Sequence, residues 1–292
     1  MSLPQDFPEI LTTEVPLAPR TWLRVGGPAR YFAQPRSEEE LVALVLAARE
    51  EDLPVRVLGD GANLLVDDDG FPGLVIHLDD AAFCKIEAVD DGIVAGGGAK
   101  LASVITESIR SGFGGLDQLV GIPGTVGGAL RGNAGAKTVS IGDFVKSVDV
   151  LTAAGERRTR TEESLSFAYR ESSLDELVIL SCHLVLEREP EEEITRRVRT
   201  RWIQKKAEQP FSDHSAGCIF KNPRGQSASE LIDDAGLKGM QFGEAEISEK
   251  HANFIVTKPG ATATDVKRLI EHVRSAVQQQ FDVSLDLEID VW

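Results

Sequence analysis

Five stretches of this chain combine residue types that can do chemistry. The longest, Gly121 to Gly135, reads GIPGTVGGALRGNAG and holds six glycines and no acid, in a chain of formal charge −16. Glycine lets another group approach the main chain closely, at an entropic cost. Successive N–H groups in such a turn form a concave anion site. Ile122, Val126, Ala129 and Leu130 interleave apolar side chains and Pro123 stiffens the turn, unlike a Gly/Ser linker. The spacing predicts an ordered phosphate or cofactor loop. A second glycine turn, Gly59 to Asn63 (GDGAN), follows a predicted strand at its C-terminal end, where ligands of α/β sheets sit. A structural hairpin explains it equally well. In YRES, Tyr169 to Ser172, the Arg170 guanidinium suits a carboxylate or phosphate, or a surface salt bridge. In AGCIFKNP, Ala216 to Pro223, Cys218 reads by default as a buried, inert thiol. Finally, Asp286, Glu288 and Asp290 alternate with Leu285, Leu287, Ile289 and Val291, a pattern that solvent exposure of one strand face also explains.

Charge narrows the function. With 47 acidic against 31 basic residues, neither a nucleic acid nor an anionic membrane is an expected partner, because both need a positive field. An anionic small molecule can still bind where basic residues gather. Cys84, Cys182 and Cys218 are odd in number and far apart, the five histidines lack metal-ligand spacing, and Asp67 to Asp69 reads as a solvated turn. No metal is expected. The N-terminal MSLPQDFPEI has neither the basic start nor the apolar core of a signal peptide, and no apolar run is long enough for a membrane helix. A cytoplasmic protein is the expectation.

The elements that must position these residues follow from periodicity. Ser37 and Glu40 form a capping box for a helix over 38–51. Strands are predicted at Val55–Leu58, Leu64–Val66, Leu74–Leu78, Ile86–Val89 and Ile93–Ala95. Gly96 to Gly98 follow, but position 101 is Leu, so the dinucleotide fingerprint is incomplete. A helix over Lys100–Arg110 closes at Gly112. Then come a hairpin of Val145–Leu151 with Arg157–Thr161, and a strand at Leu177–Leu186. A charged helix, Glu191 to Lys206, is expected to pack through Ile194, Val198 and Trp202. Beyond Pro210 a short helix at Ser229–Ala235, a strand at Ala252–Thr257, a helix capped by Thr264 and a last strand over Val283–Val291 make a separate domain.

Taken together, LRVGGPA, VLGDGANLLV, GGLDQLVGIPGTVGGALRGNAGA, YRES, SAGCIFKNP, LKGMQFGEAEISEKHANFIV and LDLEIDV resemble, in that order, the motifs of the UDP-N-acetylenolpyruvoylglucosamine reductase (MurB) family, in the subtype without the long insertion. The resemblance runs from about residue 20 to the end. It implies an α+β fold: a vanillyl-alcohol-oxidase-like (PCMH-type) FAD-binding part of two α/β subdomains, residues 1–79 and 80–209, with a C-terminal α+β substrate-binding domain, 210–292. FAD would be held non-covalently between the subdomains by Gly59, Asp60, Gly61, Ala62, Asn63 and Leu64, and by Gly121, Ile122, Pro123, Gly124, Thr125, Gly127, Gly128, Ala129, Asn133, Ala134 and Gly135. NADPH would be the hydride donor and a UDP-sugar the substrate, in a monomeric enzyme. Arg170 matches the family arginine, Glu288 the family glutamate, and Cys218 falls where many members carry a proton-donating serine. Tyr169, Lys205, Lys221, Asn222 and His251 would contact substrate, with Arg224 and Lys250 as further counter-charges. The chain departs from the family pattern at Lys137, often Tyr, at Glu208, commonly basic, and at Asp286, usually Glu.

Overall fold

The computed structural model describes residues 3–136 and 138–292. Lys137 therefore lies outside the described residues. The chain folds as an α+β protein and divides into two compact units. The first comprises residues 1–14, 30–60 and 72–204, the second 15–29, 61–71 and 205–292.

In the first unit the chain runs through α1 (Leu3–Asp6), β1 (Leu11–Pro16), β2 (Pro28–Ala33), α2 (Glu38–Glu50) and β3 (Val55–Leu58). The Ser37 side chain accepts the Glu40 N–H, as its capping box predicts, and α2 buries Leu41, Leu44, Val45 and Ala48. After β4 (Leu64–Leu65), β5 (Phe71–His77) completes a four-stranded sheet ordered β1-β2-β5-β3. Next come β6 (Ile86–Val89), β7 (Gly92–Gly96), α3 (Leu101–Arg110), α4 (Val126–Arg131), β8 (Val145–Leu151), β9 (Arg157–Thr161), a small hairpin of β10 (Phe167–Ala168) and β11 (Glu171–Ser172), and β12 (Val178–Val185). They form a five-stranded antiparallel sheet ordered β6-β7-β12-β8-β9. Ile93, Leu101, Val104, Val126, Leu130, Val148 and Leu184 fill the core beside it.

α5 (Glu191–Glu208) departs from expectation. Only Ile194 is buried, and Trp202 is exposed. The helix docks by charge instead: Arg197 donates to both oxygens of Asp117, which is 1% exposed, and to Glu189. These carboxylates hold the Arg197 proton more firmly than usual. Asp117 also accepts the Gly115 N–H, so the ion pair braces the approach to the glycine-rich loop.

The second unit contains β13 (His214–Cys218), α6 (Ala228–Asp234), β14 (Gln241–Phe242), β15 (Ala245–Ile247), β16 (Phe254–Thr257), α7 (Ala263–Phe281) and β17 (Asp290–Val291). Its antiparallel sheet runs β13-β16-β15-β14, and β17 pairs in parallel with β4. Val266, Leu269, Ile270, Val273 and Val277 of α7 pack on Ile219, Phe220, Ile255 and Leu285. One expectation needs correction. The cap of α7 is Thr262, not Thr264, and its hydroxyl accepts the Asp265 N–H. The acidic run is an exposed turn at Asp68 and Asp69, as expected, but it also ties to α7: Asp68 accepts from Ala263 N, Thr264 N and Thr264 Oγ1, and Lys267 pairs with Asp67. Carboxylates at a helix N-terminus satisfy its unpaired N–H groups. That tie explains why 61–71 folds with the C-terminal residues.

Candidate functional site

In the first unit the glycine-rich loop is laid against Gly97–Leu101, which excludes a flexible linker. Gly127 N donates to Gly97 O (2.8 Å), Val126 N to Ala99 O (2.8 Å) and Leu101 N to Gly124 O (3.0 Å). Thr125 caps α4 by accepting the Gly128 N–H, and Ala129 and Leu130 face the core. Ile122 N reaches Leu119 O, Ala134 N reaches Ala129 O, and Gly135 bridges Ser140. Gly59 abuts the same loop: a Cβ there would lie 2.5 Å from Thr125 Oγ1. Asp60 pairs with Lys100 at 3.7 Å. Gly124 has φ +113°, and a Cβ on it would meet nothing within 4 Å. At Gly124 the loop thus presents bare, acid-free backbone to open space, and this fits a phosphate of FAD.

Arg170 sits at a two-residue turn, since Ala168 pairs with Glu171 and Phe167 with Ser172. It takes φ +58°, unusual for a non-glycine residue. Its Nη2 donates to Gly135 O at 2.9 Å, and its guanidinium lies 5.0 Å from the Tyr169 ring centre. Asn133, buried with φ +41°, joins loop and turn: its Nδ2 donates to Ala168 O (2.7 Å) and its Oδ1 accepts Gly142 N (3.1 Å). Ser172 Oγ donates to Arg131 O, while the Arg131 guanidinium reaches the carbonyls of Leu174 and Glu176. The arginine turn and the glycine loop are therefore one hydrogen-bonded block. Arg131 was not singled out from sequence because its partners, the carbonyls of Leu174 and Glu176, lie 43 and 45 residues further along the chain.

The second unit holds the other candidates. β13 pairs with β16 as His214 with Thr257 and Ser215 with Val256, then slips one residue so that Cys218 faces Phe254. Gly217, at φ +76°, makes this bulge. Bulges re-aim a side chain and concentrate beside active sites. Cys218 is half-buried, whereas burial pushes the Cys182 thiol up to about 12 and, with Asp79 and Asp80, raises that of Cys84. Neither of those thiols is poised for proton transfer.

The closing segment is not a strand from Val283. Only Asp290 and Val291 form a ladder, while Leu287 makes a single bridge to Phe220. That bridge is what places Glu288: its N–H donates to Ile219 O (2.8 Å), one residue beyond Cys218, and Lys221 N donates to Asp286 O. Asn63 adds a third strut, with Nδ2 donating to Glu288 O and its carbonyl accepting Asp290 N, both at 3.0 Å. Gly61, at φ +63°, accepts Trp22 N through its carbonyl, and Leu64 lies in β4. So Cys218, Lys221, Glu288, Asn63 and their neighbours are brought together.

Asn222 Oδ1 accepts Ala228 N at the start of α6. Lys205 lies in the last turn of α5, and Lys250 Nζ donates to Lys206 O. His251 packs edge-on against Phe254, ring centres 4.6 Å apart, and its Nδ1 is buried with no partner among the described residues. Burial holds the imidazole below the usual histidine range, opposed by a backbone bond and by Glu208. Asn253, not singled out from sequence, hydrogen-bonds the main chain of Phe220 in the middle of this group.

Two family models match the chain. Residues 29–160 match the model of an FAD binding domain, and residues 209–292 that of the UDP-N-acetylenolpyruvoylglucosamine reductase C-terminal domain. The chain is 41% identical to the UDP-N-acetylenolpyruvoylglucosamine reductase of Moorella thermoacetica over 97% of its own length and 93% of the relative's. With that of Rhodopirellula baltica it shares 36% identity over 99% and 95%. The crystal structure of the reductase from Thermus caldophilus superposes with a TM-score of 0.82 at 38% identity, covering 97% of this chain and 98% of that one.

Proposed function

The chain belongs to the UDP-N-acetylenolpyruvoylglucosamine reductase family, and from that premise we propose that it reduces the enolpyruvyl double bond of UDP-N-acetylglucosamine-enolpyruvate to UDP-N-acetylmuramate, a peptidoglycan precursor. When bound, FAD supplies the hydride-carrying chemistry between NADPH and this double bond. Residues 1–79 and 80–209 serve the cofactor, and 210–292 the UDP-sugar. The reading carries with it a monomeric, cytoplasmic enzyme, since nucleotide-activated sugars and NADPH are found in that compartment.

The protein's own task follows from the reaction. A hydride added to the methylene carbon drives the electron pair of the double bond toward the carboxylate, giving an enolate. Charge grows on the carboxylate oxygens, and the α-carbon then takes a proton. Arg170 holds the carboxylate, because a guanidinium fork donates two parallel hydrogen bonds and strengthens its grip as that charge grows. Cys218 gives its thiol proton to the α-carbon and takes another from solvent. A thiol of ordinary pKa about 8.5 is mostly protonated at neutral pH and is a stronger acid than a serine hydroxyl. Glu288 assists the same carbon. Tyr169, Lys205, Lys221, Asn222 and His251 orient the UDP-sugar.

The observation that carries these roles is the bracing of Glu288 on Ile219, immediately after a glycine bulge that shifts the register at which Cys218 pairs with Phe254. Anaerobic half-reactions test them. Cys218→Ala should leave flavin reduction by NADPH intact and slow reoxidation by the enolpyruvyl substrate about 10²- to 10⁴-fold, the usual worth of a general acid. Cys218→Ser should retain activity. Undiminished turnover in Cys218→Ala would remove the thiol from the mechanism, and protein that takes up no FAD would reject the enzyme altogether.

A further inference from the structure

We propose that Asn253 is a positioning residue for the proton transfer, acting as a substitute strand that locks the segment after Cys218; this rests on the reading of Cys218 as proton donor. Beyond the bulge, the next residue of β13's line due for pairing is Phe220, and its partner on β16's side would be Ala252. The chain there has already turned, with Phe254 N donating to His251 O at 2.9 Å. Phe220, 2% exposed, bridges Leu287 on the other edge, and among the described residues no strand residue pairs with it on this one. The Asn253 side chain, 3% exposed, fills the place of the missing peptide. Its Oδ1 accepts Phe220 N at 3.0 Å and its Nδ2 donates to Phe220 O at 2.8 Å, while Asn253 O accepts Ile219 N at 2.9 Å.

The opposite edge is closed by Glu288 N to Ile219 O and Lys221 N to Asp286 O. Residues 219–221 are thus clamped between Asn253 on one side and the Glu288 segment on the other. Cys218 is the residue at which the clamp begins. A carboxamide is a short side chain offering both a strong donor and an acceptor in one plane, as a peptide does. Aspartate keeps the shape but presents an oxygen to Phe220 O, so the segment must shift. Displacement by about 1 Å is enough to cost a rate on the order of 100-fold.

The test uses FAD-loaded Asn253→Asp in the wild-type and Cys218→Ala backgrounds, with two readouts. One is flavin reoxidation by the enolpyruvyl substrate, against flavin reduction by NADPH. The other, independent of turnover, is the rate of Cys218 alkylation by iodoacetamide across pH, read by peptide mass. The expected result is reoxidation slowed about 100-fold with reduction unchanged, an altered alkylation profile, and less than about 3-fold further loss when Asn253→Asp is added to Cys218→Ala. Reoxidation and alkylation at wild-type rates would overturn the inference while leaving Cys218 in place. An equally large loss in the Cys218→Ala background would overturn it too, because Asn253 would then act by another route. A wild-type rate in Cys218→Ala alone would refute the proton-donor reading itself, and this inference with it. Should Asn253→Asp not fold, the smaller, uncharged Asn253→Ser takes its place in both measurements, and the same results support or overturn the inference.

Discussion

Replacing Asn133 tests whether the glycine loop and the arginine turn are one block. Asn133→Ala removes the acceptor of Gly142 N–H and the donor to Ala168 O. Asn133 is 4% exposed, so the Gly142 N–H loses its partner away from water, at about 1–2 kcal/mol. Ala168 is exposed and its carbonyl can turn to solvent, which holds that loss near 1 kcal/mol. The backbone adds a third contribution, because φ is +41° and alanine in the left-handed region costs about 1 kcal/mol. The total is about 3–4 kcal/mol, or roughly 6–16 °C of melting temperature at the 2–4 °C per kcal/mol of a unit this size. Asn133→Gly loses the same two bonds without the backbone cost, so it should be more stable than the alanine variant by about 1 kcal/mol, the reverse of the order inside a helix. Asn133→Asp keeps the Gly142 acceptor and should fall between wild type and glycine. Melting of the FAD-loaded variants by circular dichroism measures all three. Alanine as stable as glycine, or either within about 0.5 kcal/mol of wild type, would show that the two segments are not held together through Asn133. Because Arg170 rides on the same turn, the KM for the enolpyruvyl substrate should rise in each variant.

Asp68→Ala should lower the stability of the C-terminal unit by about 1–2 kcal/mol through loss of the acceptor of the first-turn N–H groups of α7, beside the Thr262 cap, less than a buried charge would cost because the site is exposed; a differential melt or limited proteolysis near Thr262 reads it. The Thr264 hydroxyl and the Ala263 and Thr264 N–H groups outweigh desolvation and hold the Asp68 pKa below its ordinary value. Its stabilisation is therefore complete above about pH 4 and is lost as pH falls through the folded-state value; the Asp68→Ala penalty should shrink in acid. His251 is a base whose folded pKa is depressed by burial. The unfolded chain then binds the extra proton first, so stability declines as pH drops below about 6.5. Between pH 7.5 and 5.5 the wild type should lose more melting temperature than His251→Phe, and equal losses would contradict it.

How much of this was legible beforehand depends on whether the cause was local. The Ser37 cap, the periodicity of α2, the β8–β9 hairpin and the ordered character of Gly121–Gly135 are set by neighbours within a few residues, and the structure reproduces them. Thr262 against Thr264 is a local ambiguity that only the geometry resolves, since Asp68, far back in the chain, occupies the second hydroxyl. The alternation Leu285 to Val291 predicted a strand, but the burial alternates only in part: Leu285 and Ile289 are buried and Asp286 and Asp290 exposed, while Glu288 is half-buried and Val291 exposed. The ladder fails because the segment crosses the end of β13, where only one bridge can form.

The site itself shows the same limit more sharply. Residue type marks Arg170, Cys218 and Glu288 as capable of chemistry, but neither Arg131 nor Asn253 differs in sequence from any surface polar residue. Their work is to complete main-chain hydrogen bonding where a turn or a bulge has interrupted it. A buried N–H or C=O left unpaired costs about as much as several favourable contacts return, so an irregular backbone near a reacting group demands such a residue. Gly217 was the available clue. A bulge leaves the strand out of step with its neighbour, and the peptide that follows must find a partner from a side chain. In SAGCIFKNP followed by HANFIV, the asparagine beside the pairing strand is the group that can provide it. A glycine one residue before a reactive side chain therefore predicts a nearby carboxamide as well as a turn.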